Sequence, residues 1–540
     1  MAAVTDTLAA DRTAELNATA EHAFGWKSLR PEQIEAIAAL LDGRDVLAVL
    51  RTGSGKSAIY QVPGAMNGAL TVVISPLIAL QQDQIAGLEG SDAPRAVALH
   101  SRQRKRDVED TWRAVEDGEA TFVFLSPEQL AKDDVVERLA RVGVSLIAVD
   151  EAHCLSAWGH DFRPDYVRIP DAIGRLGRPP VVALTATASP LLRDEIVDLL
   201  GLVDPCVVTG DFDRPNIRLD ASHHTDDGDK RAAVVDTVAG LVGPGLVYCA
   251  TRRDTEDYAA ALRDRAVDAV AYHAGLRSAD RDDVHRRFHD DEVSVVVATS
   301  AFGMGIDKPN VRFVVHASVP DSVDSYYQQI GRAGRDGEPA EAILFYRQED
   351  LALGRFFATT HVDQDAVRAV YEALRQDQPI RLRDLRTRCG RGGRTVTQAV
   401  NLLQHAGVVT SERRGLTRAD AGVEEALRCA TETAETAERV DRTRVEMLRA
   451  YAETDRCRRG QLLAYFGTHH DGPCGNCDTC EHGAVERGES AIPVDTRVEH
   501  REWGPGLVID GDDDRITVLF SEYGYRTLSM DAVREHGLLA

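Results

Sequence analysis

Apolar residues in the first two thirds of this chain fall into short unbroken blocks rich in β-branched side chains. "DVLAVL" (45–50), "LTVVIS" (70–75), "TFVFLS" (121–126), "SLIAVD" (145–150) and "PVVALTA" (180–186) form a first series, each separated from the next by an amphipathic stretch of helical length. After "FDRPNI" a second series follows: "GLVYCA" (245–250), "VDAVAYH" (267–273), "VSVVVATS" (293–300) and "VRFVVHAS" (311–318). Continuous apolar strands alternating with helices predict parallel sheets covered on both faces. Two such series predict two α/β domains, 1–209 and 210–345.

Beyond 345 the pattern changes. Residues 346–482 read as helical and charged, with "ETAETAERVDRTRVEMLRAY" a long helix carrying acids and arginines at i,i+4 spacing. Within this region "IRLRDLRTRCGRGGRTVTQAVNLLQHAGVVTSERRG" (380–415) reads as helix, turn, helix and strand pair. That order fits a winged helix over 375–420, with Arg391 and Arg394 near the start of the second helix, or else a plain helical insertion. The winged form would offer a duplex or phosphate contact through its arginines. Residues 483–495 read as a linker. The last 45 residues alternate "TRVEH", "GLVID", "RITVLF" and "YRTLS" with tight turns and predict a small barrel at 496–540.

A length of 540 residues is too great for one core, and 43% hydrophobic with 28% charged is an ordinary globular composition. No apolar run reaches the roughly 18 residues of a membrane span. The N-terminus "MAAVTDTLAADRTAEL" has acids and no apolar signal core, so a cytoplasmic, nucleoid-associated location is expected. A net charge of −24 excludes attraction to nucleic acid through bulk charge and leaves only local basic patches. Only six of the 63 basic residues are lysine, a bias that a GC-rich genome would give without selection.

Five of the nine cysteines are scattered, whereas Cys457, Cys474, Cys477 and Cys480 form C-x16-C-x2-C-x2-C. Four thiolates so spaced can close a tetrahedral Zn2+ shell with no open position, and disulfides are not expected in the cytoplasm.

"LRTGSGKS" (50–57) sits between a strand and a helix, as a phosphate-binding loop requires. Gly53 and Gly55 let backbone N–H groups close on the phosphates, Lys56 reaches the β- and γ-phosphates, and the Ser57 hydroxyl holds Mg2+. Leu50 stands where the first glycine of that loop is usual. "VDEAH" supplies the second half: Asp150 holds Mg2+ through water and Glu151 polarises the attacking water. Arg332 and Arg335 in "QQIGRAGRDG" (328–337) are candidates for the cations that meet charge developing on the γ-phosphate. The acid pair runs straight into "HCLSAWGHDFRPDY" (153–166), where exposed aromatics could stack bases and Arg163 could meet a DNA backbone. The bland alternative is that Trp158 and Phe162 fill a core.

Taken together these stretches resemble the RecQ family of superfamily 2 DNA helicases over roughly residues 20–350. "FGWKSLRPEQIEAI" resembles the family's adenine-recognition motif, implying that Arg30 and Gln33 read the base. "RTGSGKSAIYQVP", "SPLIALQQDQ", "FLSPEQL", "DEAHC" and "LTATAS" resemble motifs I, Ia, Ib, II and III; "VYCATRRDTE", "ATSAFGMGIDKPNVRFVVHASVP" and "YYQQIGRAGRDG" resemble IV, V and VI. The resemblance implies two RecA-like domains, ATP bound by Thr52, Gly53, Ser54, Gly55, Lys56, Ser57 and Asp307, and catalysis by Lys56, Asp150, Glu151, Gln329, Arg332 and Arg335. It implies a family-marking aromatic-rich loop with His153, Trp158, His160, Phe162 and Arg163 on single-stranded DNA, and a zinc module at the four cysteines.

The chain departs from the family in that no winged helix follows Cys480. Residues 496–533 are similar instead to the Tudor-like module of UvrD-type helicases, an SH3-like barrel that docks there onto RNA polymerase. Its acids favour a protein partner, with an inert stabilising cap as the alternative. The expected activity is that of an ATP-dependent DNA helicase, stimulated by single strands, moving 3′ to 5′ by family analogy and acting in repair and recombination. The rivals are a duplex remodeller, an RNA-directed helicase, or a DNA-binding adaptor with an ATP switch.

Overall fold

The computed structural model describes residues 2–539 except 77, 90–91, 101–102, 156–165, 167, 303–307, 352–361, 413–414, 469, 471, 484–489 and 495. The first domain is built on seven strands: β1 (Val46–Val49), β2 (Thr71–Ile74), β3 (Ala96–Leu99), β4 (Phe122–Leu125), β5 (Leu146–Val149), β6 (Val181–Thr185) and β7 (Cys206–Thr209). They lie in the order β3-β4-β2-β5-β6-β1-β7, every pair parallel. The five central strands are buried throughout, which is why their sequences are unbroken apolar runs. The two edge strands, β3 (AVAL) and β7 (CVVT), are short and only partly buried, and the sequence reading picked out neither. It missed as well the N-terminal helix Ala2–Phe24, whose Leu16 and Ala20 pack on Ile37, Ala58 and Val62.

The second domain has six parallel strands: β8 (Ile217–His223), β9 (Gly245–Tyr248), β10 (Ala269–Tyr272), β11 (Val295–Ala298), β12 (Phe313–His316) and β13 (Ala340–Tyr346), in the order β10-β11-β9-β12-β13-β8. The chain passes from one sheet to the other between Thr209 and Ile217.

Helices Gln364–Ala373, Leu382–Cys389 and Gly393–His405 precede a hairpin of β14 (Val409–Glu412) and β15 (Gly415–Arg418). Ile380, between the first two helices, bridges to Leu416, so the hairpin gains a third short strand. Gly415 is obligatory there: at φ 140° it brings its backbone so close that a Cβ would lie 2.5 Å from the carbonyl of Ile380. Tyr371, Leu385, Val396, Leu403 and Leu416 give this unit its own core. The arrangement is that of a winged helix.

A 30-residue helix, Val423–Ala452, then joins the bodies. Its first turns (Ala426, Leu427, Ala430) bury into the winged unit, and its last (Val445, Leu448, Tyr451) into the main core. The C-terminal strands β16 (Arg497–His500), β17 (Gly504–Gly511), β18 (Arg515–Phe520) and β19 (Gly524–Ser529) form one antiparallel sheet around Val508, Ile516, Val518 and Phe520. This module is docked on the rest of the chain. Tyr525 stacks on Tyr465 at 5.4 Å, and its N–H donates to Thr443 Oγ1 at 3.0 Å. Gly524, at φ 68°, leaves room for that hydroxyl.

Candidate active site and metal centre

Strand order builds the site. β5, β6 and β1 are neighbours, with Val149 opposite Ala183 and Val49 opposite Thr185. The acid pair, Thr185 and the phosphate loop therefore emerge side by side at the carboxyl ends, where parallel sheets take ligands. In the loop, Gly53 and Gly55 adopt φ 79° and 75°. Lys56 Nζ donates to the Leu50 carbonyl at 3.1 Å. Burial lowers its pKa, against the pull of Glu151 and Asp150.

Asp150 is 6% exposed. Burial raises its pKa while Lys56 draws it down. Its Oδ1 accepts the Glu151 N–H at 3.0 Å, and its backbone N–H is tied to Ile74 of β2 at 2.8 Å. The buried Tyr60 hydroxyl feels the charge of Asp150, so the carboxylate lies near the helix start that carries the Ser57 hydroxyl. A hard pair of oxygen donors suits Mg2+. Glu151 adopts φ 50°, a left-handed backbone that a non-glycine residue enters only under constraint.

The constraint is visible around it. His153 Nδ1 lies 3.4 Å from Glu151 Oε2 and 3.0 Å from Thr185 Oγ1. Thr185 Oγ1 in turn donates to the Thr187 carbonyl at 2.9 Å. His153 is 0% exposed, so the structure sets it inside this network; the expectation that it touches DNA is corrected. Tyr166, also fully buried, donates from its hydroxyl to the Asp150 carbonyl at 3.0 Å. Trp158, His160, Phe162, Arg163 and Asp307 lie outside the described residues.

Gln33 is buried and braces the phosphate loop: its Nε2 donates to the carbonyls of Ser54 (3.1 Å) and Gly55 (2.8 Å), and its Oε1 accepts the Arg30 N–H at 2.8 Å. Arg30 and Gln33 line a cleft with Leu50, Arg51, Ser54 and Asp211.

The second domain closes over the loop. A Cβ on Gly53 would lie 3.5 Å from Arg335 Cγ, and one on Gly331 3.4 Å from Thr52 Cβ. The two arginines differ in setting, since Arg335 bears electrostatically on Lys56 whereas Arg332 hydrogen-bonds Tyr248 within its own domain. Their turn is held by residues the sequence pattern did not single out. Arg214 donates to the carbonyls of Gly331 (3.1 Å), Ala333 (2.6 Å) and Gly334 (2.8 Å), and Asn216 to Gly334 (2.8 Å) and Glu338 (2.9 Å). Gly334, at φ 56°, could not carry a Cβ, which would meet Asn216 Nδ2 at 2.4 Å.

The four cysteine sulfurs of residues 457, 474, 477 and 480 lie within 4.8 Å of one another. A tetrahedral shell with Zn–S bonds of about 2.3 Å needs S···S of about 3.8 Å, and Cys474 and Cys480 are 3.9 Å apart. Backbone N–H groups of Gly460 and Asn476 point at Cys457 and Cys474 (3.5 and 3.4 Å), as thiolates require. The donor set fits Zn2+. The module grips β8 through Arg459, which donates to Asp213 (2.5 Å) and the Ile217 carbonyl (2.6 Å), and through Arg218–Glu481 (2.8 Å).

Three family models match the chain: DEAD/DEAH box helicase over 30–194, helicase conserved C-terminal domain over 229–337, and RecQ zinc-binding over 416–481. It is 34% identical over 474 residues to the probable ATP-dependent DNA helicase RecS of Bacillus subtilis, covering 87% of this chain and 92% of that one. The chain belongs to the RecQ family of ATP-dependent DNA helicases. It is also 36% identical over 85% of its length to the RecQ of Pasteurella multocida, of which it spans 61%. The structure of the Mycobacterium smegmatis helicase Lhr bound to single-stranded DNA and AMP-PNP shares the fold, with TM-score 0.51 at 20% identity over 79% of this chain and 61% of that one. Membership brings ATP, Mg2+ and Zn2+ as cofactors and DNA as partner, in keeping with the phosphate loop, the buried acid and the four-cysteine cluster. Among the described residues no helix is long and apolar enough to cross a membrane.

Proposed function

We propose that this RecQ-family chain is a single-strand-stimulated ATPase that moves 3′ to 5′ and separates duplexes in repair and recombination. In this reading Lys56 and the backbone of residues 52–57 bind the phosphates, Ser57 and Asp150 hold Mg2+, which supplies charge neutralisation on them, and Arg30, Gln33 and Asp307 complete nucleotide binding. Glu151 orients and deprotonates the attacking water; Gln329, Arg332 and Arg335 meet the charge that develops on the γ-phosphate. Trp158, His160, Phe162 and Arg163 contact the single strand. The observation that carries the reading is the closed circuit at Asp150. One residue, directly after β5, supplies the Mg2+ carboxylate, begins the segment that leads into the aromatic stretch, and receives that segment's far end through Tyr166. A force on residues 156–165 thus reaches both acids over a few bonds.

The winged unit at 375–420 serves as a duplex grip. Residues 380–394 carry six arginines against one aspartate in a chain of net charge −24, a local basic patch of the kind backbone contact needs. The module at 496–540 takes a protein partner, RNA polymerase being the first bait, and the chain works on the nucleoid in the cytoplasm.

Strand displacement on 3′-tailed, 5′-tailed and blunt duplexes, in DNA and RNA, tests the reading. Unwinding confined to 3′-tailed DNA is expected. Unwinding of 5′-tailed substrates alone overturns the polarity, preference for RNA overturns the substrate, and DNA-stimulated hydrolysis without displacement leaves a remodeller or a switch.

A further inference from the structure

His316 ends β12 and is 0% exposed. Its ring lies between Tyr248, at a centroid distance of 5.5 Å, and Tyr326, at 5.0 Å. Its Nε2 is 2.7 Å from Oε1 of Gln329. An amide oxygen can only accept, so the imidazole donates from Nε2. Nδ1 is buried with no hydrogen-bond partner among the described residues, and burial lowers the pKa to about 4, so the ring is neutral and its proton sits on Nε2.

That single proton decides which way Gln329 faces. With its oxygen held inward, the end left to an external group is the NH2, which among the described residues donates to none. Gln329 is half-buried and lies two residues before Gly331, which abuts Thr52 of the phosphate loop. A γ-phosphate there offers only acceptors. An NH2 complements it and an amide oxygen repels it.

We propose that His316 is a positioning residue for ATP hydrolysis, locking the Gln329 amide so that it presents N–H donors to the γ-phosphate oxygens. This rests on Gln329 belonging to the ATP site. Losing the imidazole donor leaves the inward oxygen buried and unpaired, which disfavours the productive orientation by about tenfold or more.

The test compares H316F, which keeps a ring in the stack, H316Q, which keeps a donor, Q329A, and H316F/Q329A. Each is read as kcat and ATP KM at saturating single-stranded DNA, with thermal unfolding beside it. The expected result is a kcat loss of about tenfold or more in H316F with KM unchanged, partial recovery in H316Q, and a double variant no slower than Q329A. If H316F and Q329A multiply in the double variant, or H316Q is as slow as H316F, His316 does not act through the amide, and the role of Gln329 stands. If Q329A hydrolyses at the wild-type rate, the placement of Gln329 in the site and the proposal both fall. Should H316F not fold, H316Q and Q329A with their double variant carry the same comparison.

Discussion

Arg214 is predicted to control hydrolysis from outside every motif. Its guanidinium bonds three carbonyls of the turn that carries Arg332 and Arg335, and those three residues are buried. Burial and the nearby Arg51 and Arg335 lower its pKa to about 10, so it remains charged at working pH. Bonds from a charged donor contribute about 1.5–3 kcal/mol each. Water entering the space left by R214A recovers part of that, so a stability loss of about 2–4 kcal/mol is expected. The rate should suffer more. A displacement of about 1 Å at a group acting on the transition state costs roughly 100-fold, and losing an arginine there outright costs about 10³–10⁵. R214A should therefore lose about 10²–10³ in kcat with ATP affinity within a few-fold, and R214K, a single point donor in place of a fork, should fall between. Steady-state ATPase at saturating DNA, fluorescent-nucleotide binding and thermal unfolding separate these effects. An R214A protein that is folded and hydrolyses within about threefold of wild type would refute the reasoning, since a misplaced group should cost roughly 100-fold.

Four further outcomes are expected. E151Q and K56A should abolish turnover while single-strand binding persists; measurable turnover in E151Q removes the base assignment. Gently purified protein should hold one Zn2+ per chain by metal analysis, and C477A should release it and destabilise the module against β8. His316 takes up its proton in the unfolded chain at the ordinary value of 6.5 and in the folded chain only near pH 4, so its burial contributes stability that is lost as pH falls between these values, about 3 kcal/mol in all. The unfolding free-energy difference between wild type and H316F should change by that amount between pH 7 and 4, and a pH-independent difference contradicts it. W158A and Y166F should each keep basal hydrolysis and lose DNA stimulation; if saturating DNA restores the wild-type rate in either, the segment between them only binds.

What the sequence made legible follows from burial. Strands covered on both faces, such as β2 and β5, are four consecutive buried residues and must be apolar, so the pattern reports them. It did not pick out the short edge strands β3 and β7, the polar β8, or the buried β13, whose apolar run begins only after Glu341. The same logic divides the site. Lys56, Asp150 and the four cysteines act through their own side-chain chemistry at short spacing and can be read directly. Arg214 and Asn216 act on carbonyls more than a hundred residues away, and only the fold reveals which carbonyls those are. His153 misled because its neighbours in sequence belong to the aromatic stretch, whereas its neighbours in space are Glu151 and Thr185.

Glu151 carries the largest consequence of that network. A non-glycine residue at φ 50° costs about 1–3 kcal/mol and persists only where its surroundings over-determine it. Here they do so from three sides: the Asp150 carboxylate takes its N–H, His153 meets its carboxylate, and Tyr166 holds the preceding carbonyl. None of these bonds belongs to the nucleotide, and two of the three come from the segment that brackets residues 156–165. With Glu151 proposed as the base, its position is set in part by side chains flanking residues 156–165, the stretch proposed to contact the strand. About 1–3 kcal/mol held in that backbone is the magnitude that one stacked base supplies.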